Sequence, residues 1–123
     1  MKSRILLVED DELCQEIVAE FLAEVDGEIT LATDGVQAVA AAEDKCFDLI
    51  LMDMMMPHMG GLEATSKIRA LANEVHAKVP IIAVTALNPE TDQDIWFATG
   101  VDDFIGKPFS EDEFLEVIKR YIS

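Results

Sequence analysis

Positive charge is scarce in this chain: nine Lys and Arg stand against 25 Asp and Glu, a formal net charge of −16 over 123 residues. A surface this negative repels phosphate backbones and anionic lipid, which argues against direct nucleic-acid or membrane binding and suits cations and basic protein surfaces. Cysteine is nearly absent as well. Cys14 and Cys46 lie far apart with no CxxC spacing, so the expectation is two reduced thiols in a cytosolic protein, with neither a disulfide framework nor a thiolate metal site. No apolar run approaches the length of a membrane span, and the apolar part of "MKSRILLVEDD" is too short for a secretory leader. Linkers, internal repeats and low-complexity stretches are missing too. What remains is a chain half of whose residues are hydrophobic, which suits one domain over residues 1–123.

Two kinds of segment alternate along it. Ile5–Val8, Glu28–Ala32, Phe47–Met52, Pro80–Thr85 and Val101–Ile105 are short, apolar and partly β-branched, and read as strands. Between them the spacing is helical. Leu13, Ile17, Phe21 and Val25 recur every four residues, broadened by Val18 and Leu22. Leu62, Thr65, Ile68 and Ala72 form a second stripe, and Phe114, Val117, Ile118 and Tyr121 a third. Val36–Ala42 and Pro89–Thr99 are further helix candidates. Asn88-Pro89 reads as a helix start, Ser110 to Glu113 as a capping box, and Gly100 as a helix end. Five strand–helix alternations predict a doubly wound α/β fold, a five-stranded parallel sheet with five helices on its two faces. The runs "FDLILM" and "PIIAV" are continuous enough for strands buried on both sides.

In such a sheet, function collects in the loops at the carboxyl ends of the strands. The first strand ends in Glu9-Asp10-Asp11, the third in Asp53, the fourth in Thr85 and the fifth in Gly106-Lys107-Pro108. Taken singly, each acid reads as an N-cap or a solvated turn residue. Converging on one edge they would repel one another, and a hard cation such as Mg²⁺ relieves that. Asp53 is the most telling, because a carboxylate beside Leu49–Met52 and Met54–Met56 is costly to bury without a partner.

The stretches "ILLVEDDE", "DLILMDMMMPHMGGLEA", "IIAVTAL" and "GVDDFIGKPF" together resemble the receiver domain of two-component response regulators, in that family's order and over essentially the whole chain. The resemblance implies a flavodoxin-like strand order 2-1-3-4-5. It implies a phosphoacceptor switch of a two-component or phosphorelay pathway, modified by a histidine kinase or a histidine phosphotransfer protein. Asp53 matches the phosphoryl acceptor. Glu9 and Asp10 match the acidic pair that holds Mg²⁺, directly or through water, and Met55 matches the residue that offers its backbone carbonyl to the metal. Asp11 reads as the N-cap of the helix that begins near Glu12. Lys107 would neutralise the transferring group, Thr85 matches the switch hydroxyl, and Phe104 the aromatic that moves inward after it. Lys107-Pro108 matches a peptide that is usually cis in the family. Such a domain catalyses its own phosphorylation and slow dephosphorylation and is not otherwise an enzyme. No output segment follows Ser123, so a stand-alone regulator and a receiver of a hybrid kinase or multidomain protein both remain open; "MDMMMPHMGGLEATSKIRAL" leans to the hybrid-kinase type, and a downstream protein partner or fused domain is expected.

The chain departs from the family at three places. Gly60-Gly61 stands where Asp-Gly is commoner, which should loosen the loop and weaken the next helix. Met55 and Leu87, two residues beyond Asp53 and Thr85, cannot orient a water by hydrogen bonding, so the phosphoryl group is expected to persist for minutes or longer. Met55 also argues against a Mg²⁺-dependent phosphohydrolase with an aspartyl-phosphate intermediate, which usually places a second acid there. A nucleotide-binding flavodoxin-like module would need a Ser/Thr/Gly-rich loop where "EDDELC" stands. His58 and His76 read as solvated, Phe97 as core, and Trp96 as a candidate for partner contact.

Overall fold

All five residues of Leu49–Asp53 (β3) are buried, as are all five of Ile81–Thr85 (β4). Continuous apolar sequence of this kind needs cover on both faces, which places these strands at the middle of a sheet. The computed structural model describes residues 2–54, 59–85 and 89–122. Ser3–Val8 (β1), Gly27–Ala32 (β2) and Asp103–Gly106 (β5) complete a parallel sheet in the order β2-β1-β3-β4-β5. That is the doubly wound, flavodoxin-like order expected. Register runs Val8 to Met52 between β1 and β3, Asp53 to Val84 between β3 and β4, and Thr85 to Gly106 between β4 and β5. The carboxyl ends of four strands therefore meet at one edge.

The helices are Glu12–Ala23 (α1), Gly35–Asp44 (α2), Gly61–Arg69 (α3), Glu74–Ala77 (α4), Pro89–Thr99 (α5) and Glu111–Ile118 (α6). Six helices among the described residues correct the expected five. The addition, α4, is a single turn with no room for an apolar stripe. It starts because the Asn73 side chain accepts from the amides of Val75 and His76, a cap that stabilises by about 1 kcal/mol. Asp11, Asp34 and Ser110 cap α1, α2 and α6 in the same way. Asn88 lies outside the described residues.

Two apolar layers cover the sheet. Val18 and Leu22 of α1 pack with Phe114 and Ile118 of α6 on one face. Ala38, Ala42, Ala64, Ile68 and Trp96, from α2, α3 and α5, cover the other. On the first face the rings of Phe21, Phe109 and Phe114 lie 5.2–6.2 Å apart in edge-on, tilted and stacked pairs, each adding about 1 kcal/mol beyond its buried area.

Two helix faces differ from the sequence reading. The buried stripe of α1 runs through Val18 and Leu22 with Cys14, Phe21 and Val25 beside it. Leu13 is 64% exposed and Ile17 37%, because at about 3.6 residues per turn they fall to one side of that stripe. On α5, Trp96 is core at 4% exposure and Phe97 is 41% exposed. Neighbours on a helix point about 100° apart, and on α5 it is Trp96 that packs with the core layer.

Candidate functional site

The β1–α1 turn, the end of β3 and the segment after β5 bring together residues 98 positions apart. One carboxylate oxygen each from Glu9, Asp10 and Asp53 lies within 4.8 Å of the others. Lys107 Nζ donates to Glu9 Oε1 at 2.6 Å and stands 3.6 Å from Asp53 Oδ2. Glu9 is 2% exposed and Asp53 6%, while Asp10 is exposed. Three hard oxygen donors of net negative charge, two of them at buried residues, form a donor set that fits Mg²⁺. The Lys107-Pro108 peptide is cis.

Burial alone would raise the pKa of Glu9. The hydrogen bonds from Lys107 first, and then from the Cys14 thiol and the Asp11 amide, outweigh it and hold the group at about 2, against an ordinary 4.5. Lys107 shows the mirror image: burial works against its charge, but the Glu9 hydrogen bond and nearby Asp53 raise its pKa. Burial and then Glu9 push the Cys14 thiol up to about 12, so it stays a protonated, unreactive thiol at neutral pH.

A folded-state pKa below the unfolded one means that Glu9 contributes stability above about pH 4.5 and loses it as pH falls towards 2. Discharge of the other acids relieves self-repulsion over the same window, so the Glu9 contribution must be taken as a difference. In EDTA, the stability of wild type relative to Glu9→Gln is expected to be constant above about pH 5 and to shrink steadily between about pH 4.5 and 2. Urea unfolding at stepped pH checks this; a difference that stays flat across the window refutes it.

Thr85 ends β4 and is 1% exposed, and its carbonyl accepts from the Lys107 amide at 2.8 Å. Phe104 lies in β5, half-buried against the layer that holds Trp96. Met55, His58 and Leu87 lie outside the described residues. Asp11 caps α1 by accepting from the Leu13 amide at 3.2 Å, and Gly60 caps α3 with no side-chain bond. Beside Lys107 an apolar hollow of about 180 Å³ is lined by Leu13, Cys14, Ile17, Pro108 and Phe109.

Two residues that no motif singles out also reach the site. The side-chain amide of Gln15 donates to the Glu9 carbonyl at 2.7 Å, and the Cys14 thiol faces the Glu9 carboxylate. Their only signal in the sequence is position, one turn into the helix after the acidic pair.

The profile of the response regulator receiver domain matches residues 5–119. The chain belongs to this family, whose members are signalling switches of two-component and phosphorelay systems that pair with histidine kinases. It is 40% identical over 124 residues to transcription factor SKN7 of Chaetomium thermophilum, covering 99% of this chain and 16% of that protein. It is 36% identical to hybrid signal transduction histidine kinase I of Dictyostelium discoideum, covering 97% of this chain and 7% of that protein. The receiver domain of a sensor histidine kinase from Pseudomonas aeruginosa PAO1, solved with a magnesium ion in its active site cleft, superposes with a TM-score of 0.88 at 37% identity over 98% of each chain. The chain spans only 16–21% of the length of the SKN7 and prr1 transcription factors it matches. The expectation of no nucleic-acid partner is thereby narrowed to the charge of this domain, since several relatives are transcription factors. Among the described residues, no helix is long and apolar enough to cross a membrane.

Proposed function

We propose that this domain accepts a phosphoryl group on Asp53 from a phosphohistidine of a histidine kinase or phosphotransfer protein. The observation that carries the reading is the meeting of Glu9, Asp10 and Asp53 within 4.8 Å at the sheet edge, with Lys107 between Glu9 and Asp53. Ionised Asp53 attacks the phosphorus, a new O–P bond forms, and the P–N bond to the imidazole breaks with its electron pair going to the leaving nitrogen. Glu9, Asp10, Asp53 and the Met55 carbonyl would hold Mg²⁺, which supplies charge neutralisation at the transferring oxygens. Lys107 supplies a second positive charge there, and the work is largely positioning and electrostatics. The buried Thr85 hydroxyl then donates to a phosphoryl oxygen, and Phe104 follows inward to shift the population of conformers. The apolar hollow beside Lys107 gives the donor protein a surface to cover during transfer.

Acetyl phosphate with Mg²⁺ tests the chemistry without a cognate kinase. Intact mass should show one phosphoryl group, released by hydroxylamine as an acyl phosphate is, mapped to Asp53 and persisting for minutes after donor removal. No adduct, or a hydroxylamine-stable one, overturns the reading. Loss within seconds leaves the acceptor standing and overturns the slow hydrolysis expected from Met55 and Leu87.

A further inference from the structure

We propose that Gln15 is a positioning residue for the metal-binding carboxylates, acting through the backbone of the β1–α1 turn; this rests on the reading of Glu9, Asp10 and Asp53 as the Mg²⁺ site. Each part of that turn but one is tied down independently of Gln15. The Glu9 amide donates to Ala32 O at 2.9 Å, which is its tie to β2. The Glu9 carboxylate takes Lys107 Nζ at 2.6 Å and the Asp11 amide at 3.2 Å. The Asp11 side chain caps α1. The remaining part is the peptide that joins Glu9 to Asp10, and its carbonyl is held by Gln15 Nε2 at 2.7 Å, reaching back six residues from the helix.

That peptide matters because it carries Asp10. Among the described residues the Asp10 carboxylate takes part in no hydrogen bond or ion pair, and its residue is exposed. Nothing but the backbone therefore aims it at Glu9 and Asp53. A peptide plane free to tilt would swing the Asp10 Cα–Cβ bond away, and a small cation with strict octahedral demands tolerates such error poorly. Outer residues that orient ligands commonly tune metal affinity without touching the ion. Gln15 is well placed for this, since its helix position is fixed by its own backbone amide donating to Asp11 O at 3.0 Å. An amide side chain also adds no charge to a site that must stay negative.

Gln15→Met tests the proposal, because it keeps length, helix propensity and charge while removing the donor. In the metal-free protein the Glu9 carbonyl carbon resonance should move upfield and the Asp10 amide nitrogen should shift. In calorimetric titration with MgCl₂ the variant should bind about fivefold more weakly than wild type, the scale of one hydrogen bond, with its melting temperature in EDTA little changed. Asp10→Asn, titrated alongside, separates the two levels of the reading. If wild type binds Mg²⁺ and Asp10→Asn loses most of it, but Gln15→Met stays within twofold of wild type or leaves the Glu9 carbonyl unmoved, the Gln15 role alone is overturned. If wild type takes up no Mg²⁺ at millimolar concentration, or Asp10→Asn binds as well as wild type, the metal reading fails and the Gln15 role with it.

Discussion

Lys107→Met is expected to slow phosphoryl uptake from acetyl phosphate about 10²–10³-fold at saturating Mg²⁺, the usual effect of deleting one preorganised stabiliser of developing charge. The ammonium is 2.6 Å from Glu9 Oε1 and 3.6 Å from Asp53 Oδ2, so it is already aimed at the place where phosphoryl oxygens would arrive. Methionine keeps most of the length and apolar stem and removes only the charge. The ground state is affected as well. The Lys107 hydrogen bond is the strongest of the influences that hold the Glu9 pKa down; without it burial dominates, and two buried carboxylates face each other without their cation. Stability in EDTA at pH 7 should fall by about 1–3 kcal/mol. The kinetic defect must therefore be measured well below the variant's melting temperature, by intact-mass time courses. A rate within threefold of wild type would show that Lys107 serves the fold and not the transfer.

What could be read from the sequence divides along physical lines. Strands buried on both faces write themselves as apolar runs, and whatever polar residue ends such a run must lie at a sheet edge. Asp53 and Thr85 were legible for that reason, and Lys107 by its place after the fifth strand; the alternation announced the parallel sheet, while the strand order followed from the resemblance to the receiver family. Side-chain facing on helices was not. In Ile95-Trp96-Phe97 three consecutive apolar residues cover nearly a full turn, so periodicity cannot say that Trp96 is the one inside; only packing against Val101 and the sheet decides. The same holds for Leu13 and Ile17, which extend an apparent stripe yet lie outside it beside Pro108 and Phe109. Gln15 was invisible because its role depends on one side chain folding back to a carbonyl six residues earlier. Arg69 is a similar case: its guanidinium joins Ala77 O, Val79 O, Gly100 O and Asp102 Oδ2, a staple between α3 and two strand entrances that no local pattern announces. Gly100 completes it, with φ +125° and Arg69 side-chain atoms 2.8 Å from where a Cβ would stand.

Gly61→Ala is expected to destabilise the domain by about 3 kcal/mol and lower its melting temperature by roughly 10 °C or more. As bare sequence, Gly60-Gly61 is one flexible pair; in the structure the two glycines have opposite status. A Cβ on Gly61 would lie 2.5 Å from the Asp53 carbonyl oxygen and 2.8 Å from Met54 Cα and Sδ. The sulfur could swing aside, but the other two atoms are backbone at the end of β3, the strand buried along its whole length. Relief would have to come from moving α3 or the strand end, and Ala64, Thr65 and Ile68 of α3 are all buried, Ala64 and Ile68 in the core layer that covers the sheet. At Gly60 the atom nearest to where a Cβ would stand, Met54 O, is 3.6 Å away and φ is −73°, so an alanine fits in both space and conformation. Gly60→Ala loses only the mild preference of glycine over alanine at an N-cap, under about 1 kcal/mol. Thermal melts of the two variants in EDTA, side by side with wild type, check the contrast, and a Gly61→Ala melt within about 2 °C of wild type would refute it. Because the crowded atom is the carbonyl of Asp53 itself, the strain in Gly61→Ala lands on the residue that carries the proposed chemistry. Phosphoryl uptake should therefore fall in Gly61→Ala at temperatures where it is still folded, and stay near wild type in Gly60→Ala.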